Sequence, residues 1–267
     1  MEHQNCKALN ERVKKILVSQ PKPSSEKSPY YDLAEKYGVE LVFRPFIKVE
    51  GFTSREFRHT KIVIGDYSAI IFTARTAVDH FFRLCRETRH TVPDTLKYFC
   101  TSEAIANYLQ KYIIYRKRKI FFSETGRIEE LVPLILKHNK ETYLMPVSEG
   151  NGSVAADVLD AAGVTYVKAP MYRTVSNDFS PEEPFDYDML IFFSPAGVHS
   201  LVTNFPDYKE RGIVIGAMGV PTIEAVHEAG LSLDVTVDAA APSMAAAIDR
   251  YLKAHQPATD SEEEAPQ

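Results

Sequence analysis

Gly163-Val-Thr-Tyr-Val-Lys-Ala-Pro-Met-Tyr-Arg-Thr-Val175 has a partner earlier in the chain, Gly38-Val-Glu-Leu-Val-Phe-Arg-Pro-Phe-Ile-Lys-Val49. In both, a Gly-Val pair leads through alternating apolar residues to a proline, two apolar or aromatic residues, a base and a closing valine. These two stretches lie 125 residues apart. A second pair, Asp66-Tyr-Ser-Ala-Ile-Ile-Phe-Thr73 and Asp186-Tyr-Asp-Met-Leu-Ile-Phe-Phe193, repeats at 120 residues. Two independent offsets this close point to a duplicated module. The copies differ at one position of chemical interest, where Tyr172 stands in place of Ile47.

Between these stretches, short apolar runs alternate with helical patterns. Strands are expected at 15–19, 66–73, 97–100, 119–122, 142–147, 186–193, 213–215 and 235–237, with one long extended run over 39–49. Ser28-Pro29 reads as an N-cap followed by proline at the first helical position, with Tyr30, Leu33, Ala34 and Tyr37 on one face and Gly38 closing the helix. Further helices are expected at 77–85, 104–110, 128–138, 154–162, from 198, at 223–229 and at 243–254. Alternation of this kind builds parallel sheets. The expected fold is α/β, with two similar parallel-sheet domains, the second inserted in the first and joined to it by a two-strand linker. The first would comprise 1–47 with 175–258 and the second 48–174, leaving 259–267 as a disordered acidic tail. A two-strand hinge of this kind would border an interdomain cleft, a common place for ligands.

Composition narrows the function. The chain of 267 residues is 45% hydrophobic and 25% charged, the balance of a soluble globular protein. The amino-terminal residues are polar and no apolar run is long enough to span a bilayer, so a cytoplasmic, membrane-free protein is expected. Of the formal net charge of -5, four units belong to Asp260, Glu262, Glu263 and Glu264. The nearly neutral body argues against general nucleic-acid affinity. Cys6, Cys85 and Cys100 are too scattered for a disulfide framework or a redox pair, and read as buried or incidental thiols.

No phosphate-loop, dinucleotide, zinc-protease or serine-hydrolase motif is present, and the eight histidines form no ligand pair, so no metal site is expected. His80 and His199 read most simply as packing or surface residues. What recurs is a small or hydroxyl-bearing loop after a strand and before a helix, at 73–76, 100–103, 148–153, 194–197 and 219–222. Unpaired N–H groups at helix N-termini suit such loops to anions, and open α/β sheets gather them at the carboxyl ends of the strands. Ordinary N-capping is the plainer account of any one of them. Thr73, Arg75, Ser102, Ser148, Gly150, Ser194, Pro195, Gly197, Gly219 and Thr222 are the candidate substrate-binding residues. Arg116-Lys-Arg-Lys119 reads either as a site for an acidic ligand or, more simply, as a solvated strand entrance.

From about Lys15 to Leu252 the chain resembles uroporphyrinogen-III synthase, the cyclising enzyme of tetrapyrrole biosynthesis. The resemblance rests on Phe72-Thr73-x-x-x-Ala77-Val78, Phe193-Ser194-Pro195-x-Gly197, Gly219-x-Pro221-Thr222, Tyr172-x-Thr174 and Ala241-Pro242-Ser243, which fall in family order. It implies two α/β domains joined by a two-strand ladder, no cofactor, and conversion of linear hydroxymethylbilane into uroporphyrinogen III with loss of water and inversion of ring D. Tyr172 matches the family tyrosine proposed to assist departure of the ring A hydroxyl, and Ser194 and Thr222 match cleft positions. The chain departs from the family at Ala74, often serine, and at Glu103, often threonine. A tyrosine merely packed on the hinge is the plainer reading of Tyr172. The expected enzyme is a monomer acting on a small-molecule linear tetrapyrrole. The competing readings are a non-catalytic sensor of an acidic small molecule on the same fold, and a sugar-nucleotide enzyme, which the missing phosphate motif disfavours.

Overall fold

The computed structural model describes residues 13–25, 27–150, 154–177, 179, 185–206 and 212–255. The lead-in before residue 13, Cys6, the acidic tail and positions 151–153 of the third loop lie outside these residues. In chain order the elements are β1 (Lys15–Val18), α1 (Pro29–Tyr37), β2 (Glu40–Phe43), β3 (Ile47–Gly51), α2 (Ser54–His59), β4 (Ala69–Phe72), α3 (Arg75–Glu87), β5 (Lys97–Cys100), α4 (Glu103–Tyr108), β6 (Ile120–Phe122), α5 (Val132–Lys137) and β7 (Tyr143–Ser148). They continue with α6 (Val154–Ala161), β8 (Tyr166–Ser176), β9 (Met189–Phe192), α7 (Pro195–Asn204), β10 (Val214–Ala217), α8 (Val220–Glu228), β11 (Val235–Thr236) and α9 (Met244–His255). By internal contacts the chain divides into two compact units, one reaching to Lys48 and resuming at Val175, the other Val49–Thr174. The chain leaves the first unit within β3 and returns within β8, and these two strands are neighbours in one sheet.

The first unit is built on the sheet β11-β10-β9-β1-β2, with parallel pairing at every step. Strands buried on both faces need not alternate apolar with polar residues, which is why Met189–Phe192 reads as a continuous apolar run. Successive side chains still point to opposite faces. Ile16 and Val18 pack with Leu33 and Tyr37 of α1 and Met244, Ile248 and Leu252 of α9, while Leu17 faces Val198, Leu201 and Val226 of α7 and α8. Ser28 and Pro29 begin α1 as expected, and Gly38, at φ 62°, ends it in the left-handed conformation that glycine adopts most readily.

The second unit repeats the plan. Its sheet is β3-β8-β7-β4-β5-β6, with β8-β7-β4-β5-β6 parallel. Ile70 and Phe72 face α3 and α4, and Ala69 and Ile71 face the cluster under α5 and α6. Strand for strand, β4, β5, β6, β7 and β8 occupy the sheet positions that β9, β10, β11, β1 and β2 occupy in the first unit. The two offsets in the sequence are the β9–β4 and β8–β2 correspondences.

Several expectations need correction; the helix expected from 198 already begins at Pro195, and the strand expected from 66 begins at Ala69, after a 3-10 turn Ile64–Asp66. The run over 39–49 is not one strand: it breaks at Arg44-Pro45-Phe46, where Phe46 turns into the core at 0% exposure. Gly216 and Ala217 extend the strand expected over 213–215, and Val220-Pro221-Thr222 is the first turn of α8, so of the loop expected over 219–222 only Gly219 precedes the helix. Proline near a helix start lacks only a donor that would be unpaired there anyway. The helix expected over 128–138 is a 3-10 turn, Ile128–Glu130, followed by α5 with Pro133 near its start. The helix expected over 104–110 is α4 ending at Tyr108, followed by a 3-10 turn, Leu109–Lys111. Helix α2 was not foreseen, although Thr53-x-x-Glu56 forms a full capping box. Among the described residues no helix is long and apolar enough to cross a membrane.

Phe46 meets Phe192 edge-on at 5.4 Å and Phe179 at 4.8 Å. Phe46→Ala is expected to lower unfolding free energy by about 3–5 kcal/mol, the usual cost of emptying an aromatic core position, measured by urea titration.

Candidate active site

Parallel strands bring their carboxyl ends to one edge of each sheet, and ligands of open α/β sheets bind where the strand order reverses. In the second unit that reversal falls between β4 and β7, where Thr73 and Ser148 emerge. In the first it falls between β1 and β9, where Ser19 and Ser194 emerge.

A β-bulge sets the geometry of the second unit's edge. Along the β7–β8 ladder Val147 faces Pro170, but the next partner of Ser148 is Tyr172, Met171 being passed over. Met171 faces the core with Ala169, both at 0% exposure, and the extra residue brings Tyr172 and Ser148 together as cross-strand partners. The Ser148 hydroxyl is buried and has no hydrogen-bond partner among the described residues. Such a group is costly to leave unsatisfied, so it favours an incoming polar ligand. Tyr172 is 9% exposed, and burial raises its pKa, so the phenol keeps its proton and is able to donate.

The Tyr172 ring is held from one side. His80 stacks on it with centroids 5.1 Å apart and planes inclined at 17°. Nδ1 of His80 accepts a hydrogen bond from Nε of Arg83 at 3.2 Å, and Nη2 of Arg83 donates to the Phe52 carbonyl at 2.7 Å. Burial first, then the Arg83 charge, lowers the His80 pKa and keeps the ring neutral. Gly51 makes room for this assembly, since a Cβ there would lie 2.6 Å from His80 Nδ1 and from Arg83 Nη2. His80 is thus a packing residue, as the sequence suggests, but one packed on the candidate tyrosine. His199 is exposed.

Three helices begin on the same backbone. Ala74, Ser102 and Ser194 precede α3, α4 and α7 with φ/ψ of −152°/153°, −153°/157° and −153°/149°. Ser102 Oγ accepts from the Ile105 N–H at 3.4 Å and Ser194 Oγ from the Gly197 N–H at 3.2 Å. Ala74 has no acceptor to offer, and α3 begins without a side-chain cap. Arg75 opens that helix and lies exposed with its guanidinium 5.5 Å from the Tyr108 ring centroid. Glu103 is exposed in the first turn of α4, where the helix dipole favours an acid.

A loop that the sequence reading passed over completes this edge. Ser123-Glu-Thr-Gly126 leaves β6 before the turn at Ile128, the same strand, hydroxyl loop and helix pattern as the others. Its shape comes from one carboxylate. Glu130 Oε2 accepts from Ser123 Oγ at 2.7 Å and from the Glu124 N–H at 3.0 Å, and Oε1 accepts from the Thr125 hydroxyl. These bonds, the Thr125 hydroxyl first, hold the Glu130 carboxyl at about 2. The loop presents Gly126 and Arg127 to a depression of about 370 Å³ that Thr73, Thr101 and Val154 also line. Gly150 is exposed at φ 78°, just before the undescribed positions 151–153.

In the first unit, Pro195 and Gly197 lie in the first turn of α7, and Gly197 has Phe192 Cδ1 3.3 Å and Ser19 Oγ 3.9 Å from where a Cβ would sit. Gly219 precedes α8 at φ 90°, and Thr222 in the first turn is 3% exposed. Ser194 and Gly219 both stand at strand carboxyl ends, before the packed pair α7 and α8. Ser19 was missed because it stands before a proline-rich loop rather than a helix start. Among the described residues no group of side chains could hold a metal ion. Burial pushes both described thiols, Cys85 and Cys100, up to about 12, so neither is a nucleophile.

A family model described as uroporphyrinogen-III synthase HemD matches residues 28–249. Among solved structures, uroporphyrinogen-III synthetase from Helicobacter pylori 26695 is 16% identical with a TM-score of 0.56, over 91% of this chain and 100% of that one. A mutant uroporphyrinogen III synthase from the extremely thermophilic bacterium Thermus thermophilus is 14% identical with a TM-score of 0.47, over 91% and 99%. A stretch of 113 residues is 30% identical to 1-phosphatidylinositol 4,5-bisphosphate phosphodiesterase gamma-2 of Rattus norvegicus, covering 42% of this chain. The chain spans 8% of that protein's length, too little to carry an assignment.

Ala74→Ser, placed on a backbone already set for capping, is expected to stabilise the protein by about 1 kcal/mol in urea unfolding. For Glu130, whose folded pKa is depressed, the stabilisation is complete above its ordinary pKa of 4.5 and is lost as pH falls toward about 2. Thermal unfolding of Glu130→Gln should therefore show a deficit against the parent at neutral pH that shrinks through this window.

Proposed function

The chain belongs to the uroporphyrinogen-III synthase family, and we propose that it acts as a cofactor-free hydro-lyase, closing hydroxymethylbilane to uroporphyrinogen III. The observation that carries this reading at the level of the site is the β7–β8 bulge, which pairs the buried, protonated Tyr172 with the unpartnered Ser148 hydroxyl.

The substrate is a linear tetrapyrrole with eight carboxylates and a hydroxymethyl group. Loss of that hydroxyl as water gives an azafulvene, and unguided closure joins the ends head to tail. The type III product requires ring D to attack through its already substituted carbon, giving a spiro intermediate that fragments and recloses. The protein's task is therefore mainly one of holding a flexible chain in one conformation. Backbone N–H groups at Thr73–Arg75, Ser102, Ser194–Gly197 and Gly219–Thr222 are suited to carboxylates, with Arg75 and Arg127 as nearby cations.

Tyr172 is assigned the donor role toward the departing hydroxyl. A phenol kept neutral by burial is a weak acid, but it donates a hydrogen bond in a setting of low dielectric, where that bond is worth most. Ser148, on the adjacent strand, is assigned a polar contact to the substrate. His80 orients the Tyr172 ring and takes no proton.

Tyr172→Phe is expected to lower turnover by about 10–100-fold, the worth of one hydrogen bond to a group developing charge. The product ratio should move toward the type I isomer, as spontaneous closure competes. The check is chromatography of oxidised products after incubation with hydroxymethylbilane. An unchanged rate and ratio would remove Tyr172 from the reaction, and type I alone from the parent protein would remove the synthase reading.

A further inference from the structure

A cavity of the second unit lies away from the edge described above. It has a volume of about 440 Å³ and opens beside the amino ends of β5 and β6, where Leu96 and Ile120 enter the sheet. That size is in the range of small-molecule sites. Phe82, Tyr98, Tyr112 and Ile113 supply an apolar wall, with Phe82 and Tyr112 stacked at 4.5 Å and only 6° from parallel.

The charged lining has one dominant sign. Arg86, Arg116 and Lys119 face Asp94 as the only carboxylate in the described lining. Arg116 pairs with Asp94 at 3.3 Å, through a carboxylate whose side chain is 86% exposed, a pair of little strength. Arg86, in the last turn of α3, and Lys119, in the 3-10 turn Lys117–Lys119, make no ion pair among the described residues. Two of the four bases in Arg116-Lys-Arg-Lys119 thus line an apolar cavity instead of standing only in solvent. Cys85 in the wall is inert, so the site binds rather than reacts.

We propose that this cavity binds an amphipathic organic anion, with a flat aromatic body against Phe82, Tyr98 and Tyr112 and an acidic head between Arg86, Arg116 and Lys119. An apolar body buried under a charged head requires both features at once, and the cavity lining offers both. The site is independent of the synthase reading, since it uses none of the residues assigned to the reaction.

The probe is 8-anilinonaphthalene-1-sulfonate, an aromatic anion, titrated into the full chain by fluorescence and calorimetry beside the neutral N-phenyl-1-naphthylamine. The expected result is saturable 1:1 binding of the anion, about tenfold or more tighter than the neutral compound and weakened by salt. The double variant Arg86→Gln/Lys119→Gln should weaken the anion about tenfold or more with an unchanged far-UV spectrum, leaving the neutral compound unaffected. Ile113→Trp, which adds bulk to the apolar wall, should abolish both. Equal affinity for the two compounds, or anion binding that survives the charge variant or the bulkier wall, would overturn the proposal.

Discussion

The first unit depends on a single pairing between distant parts of the chain. Strand β1 lies parallel to β9, with Ile16, Leu17 and Val18 opposite Met189, Leu190 and Ile191. The Asp188 carboxylate fastens the start of this ladder by accepting the Lys14 and Lys15 N–H groups at 2.7 and 2.8 Å. Everything else in that unit is placed by it: β2 and β10 extend the sheet on either side, α1 and α9 cover one face, and α7 and α8 the other. It also creates the reversal in strand order that brings Ser19 and Ser194 to one edge.

The second unit reaches the same end from one continuous segment. Its reversal, between β4 and β7, needs only the ladder that sets Ala69 and Ile70 opposite Tyr143 and Leu144. Duplication preserved the backbone more closely than the chemistry. Ala74 and Ser194 occupy equivalent positions with nearly the same dihedral angles, yet only the serine satisfies its helix. The equivalent of Ser102 is Gly219, which uses positive φ instead of a side chain. Such departures between copies are where a repeat acquires distinct functions at shared positions.

The architecture was largely legible because its signals are local and redundant. Continuous apolar runs such as Ala69–Phe72 and Met189–Phe192 can be satisfied only inside a covered sheet, and Ser28, Pro29 and Gly38 mark helix ends by their own preferences. The site was legible as a set of positions but not as an arrangement. Nothing in Met145-Pro-Val-Ser148 announces that β7 skips Met171, since a bulge arises from competition between two strands. The 123–127 loop escaped notice because Glu130, which shapes it, reads alone as an ordinary surface acid. The break in 39–49 came from Phe46, whose burial is decided by aromatic neighbours distant in sequence.

The 173-residue separation between Lys15 and Asp188 also orders events in time. During synthesis the chain emerges amino end first, and domains fold as units once complete. Val49–Thr174 holds β4–β7 and most of β8 in one continuous run, so that unit can form as soon as it is clear of the ribosome. Ile16, Leu17 and Val18 by then have only α1 and β2 of their own unit beside them, and their core is incomplete until β9 and the helices after it are made. Pairings of such long range are slow to close. Strand β1, made before Val49–Thr174, reaches its native surroundings after that unit can reach its own.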